Sequence, residues 1–166
     1  MRTKNFKYPD KAAHEMVMNE LGQRGITMET IGDIAFELQK DFYPAAHIEE
    51  FYDAANEVLH KREVLNNAMV ALELDRLATE DKLQQPLQNI VANDSGVFGV
   101  DESLAVSIAN IYGTIGVTNF GYMDRVKNGV IKDLDTQKDG RVNTFIDDLV
   151  GALAAAVAAK MAHQYA

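Results

Sequence analysis

Residues 144–163, TFIDDLVGALAAAVAAKMAH, begin around an adjacent acidic pair, Asp147-Asp148, and continue into a run made mostly of alanine. Alanine is the strongest helix former, so the stretch predicts a helix from residue 144 to about 163. Its apolar run, 149–159, is 11 residues long, well short of the roughly 20 that span a bilayer. A helix this apolar belongs inside a protein. Side chains this small, with Gly151 near the start, let neighbouring helices approach closely, which places the segment at the centre of a bundle.

Outward from this segment the remaining pattern is helical as well. Pro9 suits the first turn of a helix running to about Leu21, with Gly22 as its stop. Thr27 offers an N-cap for a helix over 28–40 that buries Ile31, Ile34, Ala35 and Leu38 at i, i+3, i+4, i+7 spacing. From 46 to about 79 one stripe carries Ile48, Phe51, Tyr52, Ala55, Val58 and Leu59, and then Val64, Ala68, Ala71, Leu72 and Leu74. This predicts one long helix, or two with a bend near 60–63. A short helix over 86–91 leads into the turn Asn93-Asp94-Ser95-Gly96. Asp101 opens a helix with Leu104, Ala105, Ile108, Ile111 and Tyr112 on its apolar side, punctuated later by Gly113, Gly116 and Gly121. Residues 127–135 read as a further short helix and 137–141 as a loop. There is no period-2 strand pattern, no repeat and no Pro/Gly/Ser linker. The expected fold is all-α, a single-domain orthogonal helical bundle over residues 1–166, with the Ala-rich C-terminal helix in its core.

Composition narrows the functions open to such a bundle. With 166 residues, 47% hydrophobic and 25% charged, the chain can bury a sizeable core unaided. It has no cysteine, which excludes disulfides, thiolate metal sites and cysteine nucleophiles. The basic N-terminus lacks the apolar segment of a secretory signal, so a cytoplasmic location is expected. Sixteen basic against 25 acidic side chains give a net charge of −9, which repels phosphate backbones and anionic lipid. No nucleic-acid partner is expected.

Two acidic pairs, Asp101-Glu102 and Asp147-Asp148, each stand at the start of a helix just before an apolar run. First-turn carboxylates meet the helix dipole favourably and cap free N–H groups, which accounts for either pair alone. With Asp124, however, they place five carboxylates beside the two most apolar helices, where uncompensated charge is costly. A shared cation relieves that repulsion. Oxygen ligands without histidine or cysteine select a hard ion, and magnesium uses one or two carboxylates together with water and phosphate. The expected cofactor is Mg2+ and the expected ligand a phosphate, with Lys127 and Arg125 close enough in sequence to Asp124 to hold it.

Other motifs carry less. Residues 135–146 mimic the start of a calcium loop, but position twelve is Ile146 where a bidentate glutamate is required. Gly113-Thr-Ile-Gly116 lacks the Gly-Lys-Ser/Thr of a phosphate-cradling loop, and helix packing explains its glycines. His14, His47, His60 and His163 form no close ligand pair in sequence.

The segments YGTIGVTNFGYMDRVKNGVIKDLD (112–135) and NTFIDDLVGALAAA (143–156), with GVFGVDESLA (96–105) upstream, resemble the phosphatidylglycerophosphatase A family, particularly its soluble relatives in firmicute bacteria. The family's membrane enzymes remove the terminal phosphate of phosphatidylglycerol phosphate with magnesium, the last step of phosphatidylglycerol synthesis. The resemblance implies a magnesium-dependent phosphomonoester hydrolase acting on that phospholipid headgroup or a related phosphate ester. It implies metal or catalytic roles for the carboxylates Asp101, Glu102, Asp124, Asp147 and Asp148, with Lys127 as phosphate contact; Asp101, Glu102, Asp147 and Asp148 are expected as metal ligands, and Asp124 as a carboxylate outside the metal shell that orients the attacking water. The chain departs from the membrane members in having Lys127-Asn128 where they carry Lys-Pro, and in lacking their spanning segments and glycine-rich N-terminal motif. Those departures fit the alternative of a catalytically inactive binding or regulatory protein on the same scaffold. Transient membrane contact is compatible with either reading. The stripe containing Phe51, Tyr52 and Leu59 exceeds what one small bundle is expected to cover, which predicts a homo-oligomer.

Overall fold

The computed structural model describes residues 5–127, 129–136 and 140–166. Helix α1 (Asp10–Gly22) follows Pro9, and Gly25 turns the chain toward α2 (Met28–Gln39). Thr27 caps α2 as its sequence predicts. Its hydroxyl accepts the Thr30 N–H while its own N–H donates to Thr30 Oγ1, both at 3.2 Å. The long stripe over 46–79 resolves into two helices, α3 (Ile48–Val58) and α4 (Arg62–Thr79), broken close to the expected bend. Then come α5 (Leu87–Ala92), α6 (Val100–Ala109), a 3-10 turn (Asn110–Tyr112), α7 (Gly113–Val126), α8 (Val130–Thr136) and α9 (Ile146–Tyr165). The described residues contain no strand.

Helix α9 is the hub of the bundle. Every residue from Ile146 to Ala159 is buried, and α2, α3, α4, α6, α7 and α8 all pack against it. Alanine makes this possible, because its methyl side chains keep the radius of α9 small enough for several neighbours to reach it. Its larger residues, Leu149, Leu153 and Val157, are buried among them, each contributing about 1.5–3 kcal/mol relative to exposure. The first charge after the acidic pair, Lys160, is partly buried and reaches Glu57 at 2.9 Å. Among the described residues, no helix is long and apolar enough to cross a membrane.

Three expectations are revised. The helix expected to carry Ile111 and Tyr112 ends at Ala109, those two residues lie in the 3-10 turn, and Gly113, with φ of 78°, redirects the chain into a separate helix. Such a φ is open to glycine and strained for other residues. The helix expected over 127–135 begins at Val130, since Lys127 is instead the left-handed C-cap of α7. Phe51 and Leu59 are fully buried within the chain, and the half-buried Tyr52 donates its hydroxyl to Asp33 at 2.7 Å. That stripe is therefore covered internally and no longer argues for a second copy. Of the expected loop 137–141, residues 137–139 lie outside the described residues, as does Asn128.

Gly116 sets the distance between α6 and α7. A Cβ built there would stand 2.2 Å from the Ala109 carbonyl oxygen, which is backbone and cannot swing away. Gly121, farther along α7, has nothing within 4 Å of such an atom. Gly116→Ala is expected to destabilise the protein by about 1–3 kcal/mol through overpacking, whereas Gly121→Ala is expected to stabilise it by about 0.5–1 kcal/mol through helix propensity. Urea unfolding of both variants checks the pair, and a neutral Gly116→Ala would contradict the close approach.

Candidate functional site

Helix ends build the site. Asp101 and Glu102 occupy the first turn of α6, Asp147 and Asp148 the first turn of α9, and Asp124 lies in the last turn of α7 with Lys127 as its C-cap. First turns carry unpaired N–H groups and the positive end of the helix dipole, so they tolerate carboxylates that a helix interior does not. Asp101, Asp147 and Asp148 are all buried, Glu102 is exposed and Asp124 half-buried.

Carboxylate oxygens of Asp101, Glu102 and Asp148 lie within 4.8 Å of one another. Asp101 Oδ1 is buried and has no hydrogen-bond partner. A buried acceptor left unpaired costs free energy, and a cation is one way to satisfy it. Asp147 faces elsewhere: consecutive residues are about 100° apart around a helix, and its Oδ2 receives Lys127 Nζ at 3.0 Å. The same ammonium donates to Asp135 Oδ1, near the end of α8, at 3.2 Å. Lys127 adopts φ 41°, ψ 64°, a left-handed conformation unusual for a residue other than glycine. That conformation accompanies a side chain held by two carboxylates. Arg125 is exposed at the end of α7.

Electrostatics follow from this crowding. Burial, then the charges of Asp147, Asp124 and Asp101, push Asp148 up to about 8. Three carboxylates from three helices, Asp147, Asp124 and Asp101, thus act on Asp148. Asp101 is pushed up to about 7, first by burial and then by its contact with Glu102. Glu102, the other member of that close pair, is held below the usual range. Asp147 is raised by burial, with Lys127 pulling the other way. For Lys127 burial opposes the charge, but Asp147 and Asp135 outweigh it and raise the ammonium's pKa. Asp135 was not anticipated from sequence; its signal is its place beside Ile131 and Leu134, the buried residues that orient α8 toward α9.

The whole bundle matches known proteins. Residues 17–163 match the family model described as Phosphatidylglycerophosphatase A. The Bacillus subtilis protein YutG is 45% identical over 142 residues, 86% of each chain. YpjQ from the same organism is 40% identical over 159 residues, 96% of this chain and 89% of its own. The crystal structure of the low temperature requirement C protein from Listeria monocytogenes superposes with a TM-score of 0.89 at 41% identity, covering 94% of this chain and 98% of that one. The chain belongs to the phosphatidylglycerophosphatase A family.

The raised pKa values of Asp101 and Asp148 carry a sign. Both groups bind protons in the folded state that an unfolded chain, with carboxyl pKa near 4, has already released. Between about pH 4 and 8 the folded state therefore loses relative stability as pH rises. Melting in a chelator is expected to drop by several degrees, on the order of 5 °C, from pH 5.5 to 8. Asp148→Asn is expected to flatten that dependence; an unchanged slope would mean that Asp148 does not hold the extra proton.

Proposed function

We propose that this protein is a magnesium-dependent phosphomonoester hydrolase acting on phosphatidylglycerol phosphate or a related phosphate ester. The observation that carries this reading is the convergence of Asp101, Glu102 and Asp148 around a buried, unpartnered Asp101 oxygen. The donor set is all oxygen, which suits a hard cation such as Mg2+ and gives softer metals no preferred ligand. When bound, the ion supplies charge neutralisation and Lewis-acid polarisation of the phosphoryl group. Membership of the family supports the phosphate chemistry.

The chain's own residues divide the remaining work. Asp101, Glu102 and Asp148 hold the cation. Lys127 contributes an ammonium for the phosphate oxygens, kept in place by Asp147 and Asp135. This geometry favours Asp147 as the anchor of Lys127 over the metal-ligand role that the family resemblance suggests. Asp124, near enough to raise the Asp148 pKa, is the candidate to orient water and accept its proton as the phosphate ester bond breaks. The water oxygen bonds to phosphorus as the ester P–O bond breaks, the departing alkoxide takes the proton that Asp124 accepted, and inorganic phosphate is released.

One observation favours the second reading, a binding or regulatory protein without turnover: Lys127 is already neutralised by two carboxylates. Phosphate release decides between the two. A soluble phosphomonoester and a short-chain phosphatidylglycerol phosphate analogue are offered with and without magnesium. Release is expected only with magnesium, and Asp148→Asn is expected to lower it by about 100-fold or more. Magnesium binding without release from either substrate would leave the binding protein.

Asp147→Asn separates the two roles open to that residue. As the anchor of Lys127, its loss is expected to raise KM by about tenfold while the magnesium-induced rise in melting temperature stays as in wild type. A lost magnesium response would instead make Asp147 a ligand.

A further inference from the structure

The buried stripe of α4 contains Ala68, Ala71, Leu72, Asp75 and Ala78, so an aspartate stands where spacing calls for an apolar residue. Asp75 is 0% exposed. A buried carboxylate is costly unless it makes strong hydrogen bonds. Both Asp75 oxygens accept the backbone N–H of Phe145, at 3.1 and 3.2 Å, across 70 positions of sequence. Phe145 is the N-cap residue of α9 and has no side chain able to cap it. The most enclosed helix of the fold thus takes its cap from another helix. Asp75 also interacts with the N–H of Ile146, and the Arg24 guanidinium acts on its charge favourably. Burial outweighs both and pushes Asp75 up to about 7.

One turn along α4, Thr79 holds the same approach segment. Its hydroxyl donates to the Asp75 carbonyl at 2.8 Å and accepts the Val142 N–H at 2.9 Å. Thr144 adds a bond from its hydroxyl to the Val91 carbonyl at 2.7 Å. The peptide groups held by Asp75 lie immediately before Asp147 and Asp148. A small rotation of that first turn would move both side chains relative to Asp101, Glu102 and Lys127.

We infer that Asp75 is a positioning residue: by accepting the Phe145 N–H it fixes the first turn of α9, and with it the placement of Asp147 and Asp148 in the site. This rests on the reading of that site as a cation and phosphate site, but the bond itself is tested apart from it. Asp75→Leu removes the acceptor while filling the volume and deleting the buried charge, so it is chosen to fold even where Asp75→Ala does not. Asp75→Asn keeps an acceptor oxygen. In metal-free protein, amide hydrogen exchange at residues 145–148 is expected to quicken at least about tenfold in Asp75→Leu, with the later turns of α9 unchanged, and to return most of the way in Asp75→Asn.

With magnesium, Asp75→Leu is expected to lose most of the metal-induced melting shift and to lower kcat about 10- to 100-fold with little change in KM, Asp75→Asn recovering most of both. Wild-type exchange in Asp75→Leu would overturn the inference. So would faster exchange with an intact magnesium response and kcat, or an Asp75→Asn variant as impaired as Asp75→Leu. If wild-type protein responds to magnesium without releasing phosphate, the hydrolase reading fails and the magnesium comparison still decides the role of Asp75. If it shows neither, the site reading fails and exchange alone decides.

Discussion

A helix enclosed on every side can carry charge only near its ends. Helix α9 obeys this constraint, buried from Ile146 to Ala159 with Asp147 and Asp148 in its first turn. The rest of the molecule is arranged around that one fact. The first-turn N–H groups offset part of the cost of burying two carboxylates, typically by 0.3–1 kcal/mol each and up to about 2 kcal/mol in partly buried settings. What remains is shared with neighbours: Lys127 answers Asp147, and Asp101 and Glu102 crowd Asp148. The polar region therefore lies where the apolar core comes to an end.

Lys127 shows how a strained backbone and a charge network support one another. A left-handed conformation costs an ordinary residue about 1–2 kcal/mol, and here it ends α7 with the ammonium between Asp147 and Asp135. Neither carboxylate is adjacent to it in sequence. The turn between α7 and α8 thus carries electrostatic as well as geometric weight, and α8 contributes through Asp135 as well as through its apolar face.

Where hydrophobic period and capping chemistry coincide, the sequence was legible: α2 begins after Thr27 as read, and the alanine run marks the central helix. Periodicity failed at Tyr112–Gly113, because the apolar spacing continues while the backbone reverses through a single glycine torsion. In the site, the grouping of Asp101, Glu102 and Asp148 was suggested by two acidic pairs that each precede an apolar helix, although the helix dipole explains either pair alone. Asp147 and Asp148 look equivalent in sequence, and only the angular step of the helix sends them to different partners. Asp135 and Asp75 were missed for a common reason. Their significance comes from helices packed against them, and the Phe145 N–H that Asp75 accepts is 70 positions away.

Every helix that packs on α9 precedes it in the chain. During synthesis, which proceeds from the N-terminus at about 5–20 residues per second, the faces of α2, α3, α4, α6, α7 and α8 emerge before their common partner exists. The nascent chain can form pairs such as α2 with α3 and α1 with α4, but it lacks a centre until the alanine helix leaves the ribosome. For those seconds it presents apolar surface to chaperones and to other nascent chains. The order of helices along the chain therefore leaves the core without its centre until α9 emerges to join the helices made before it.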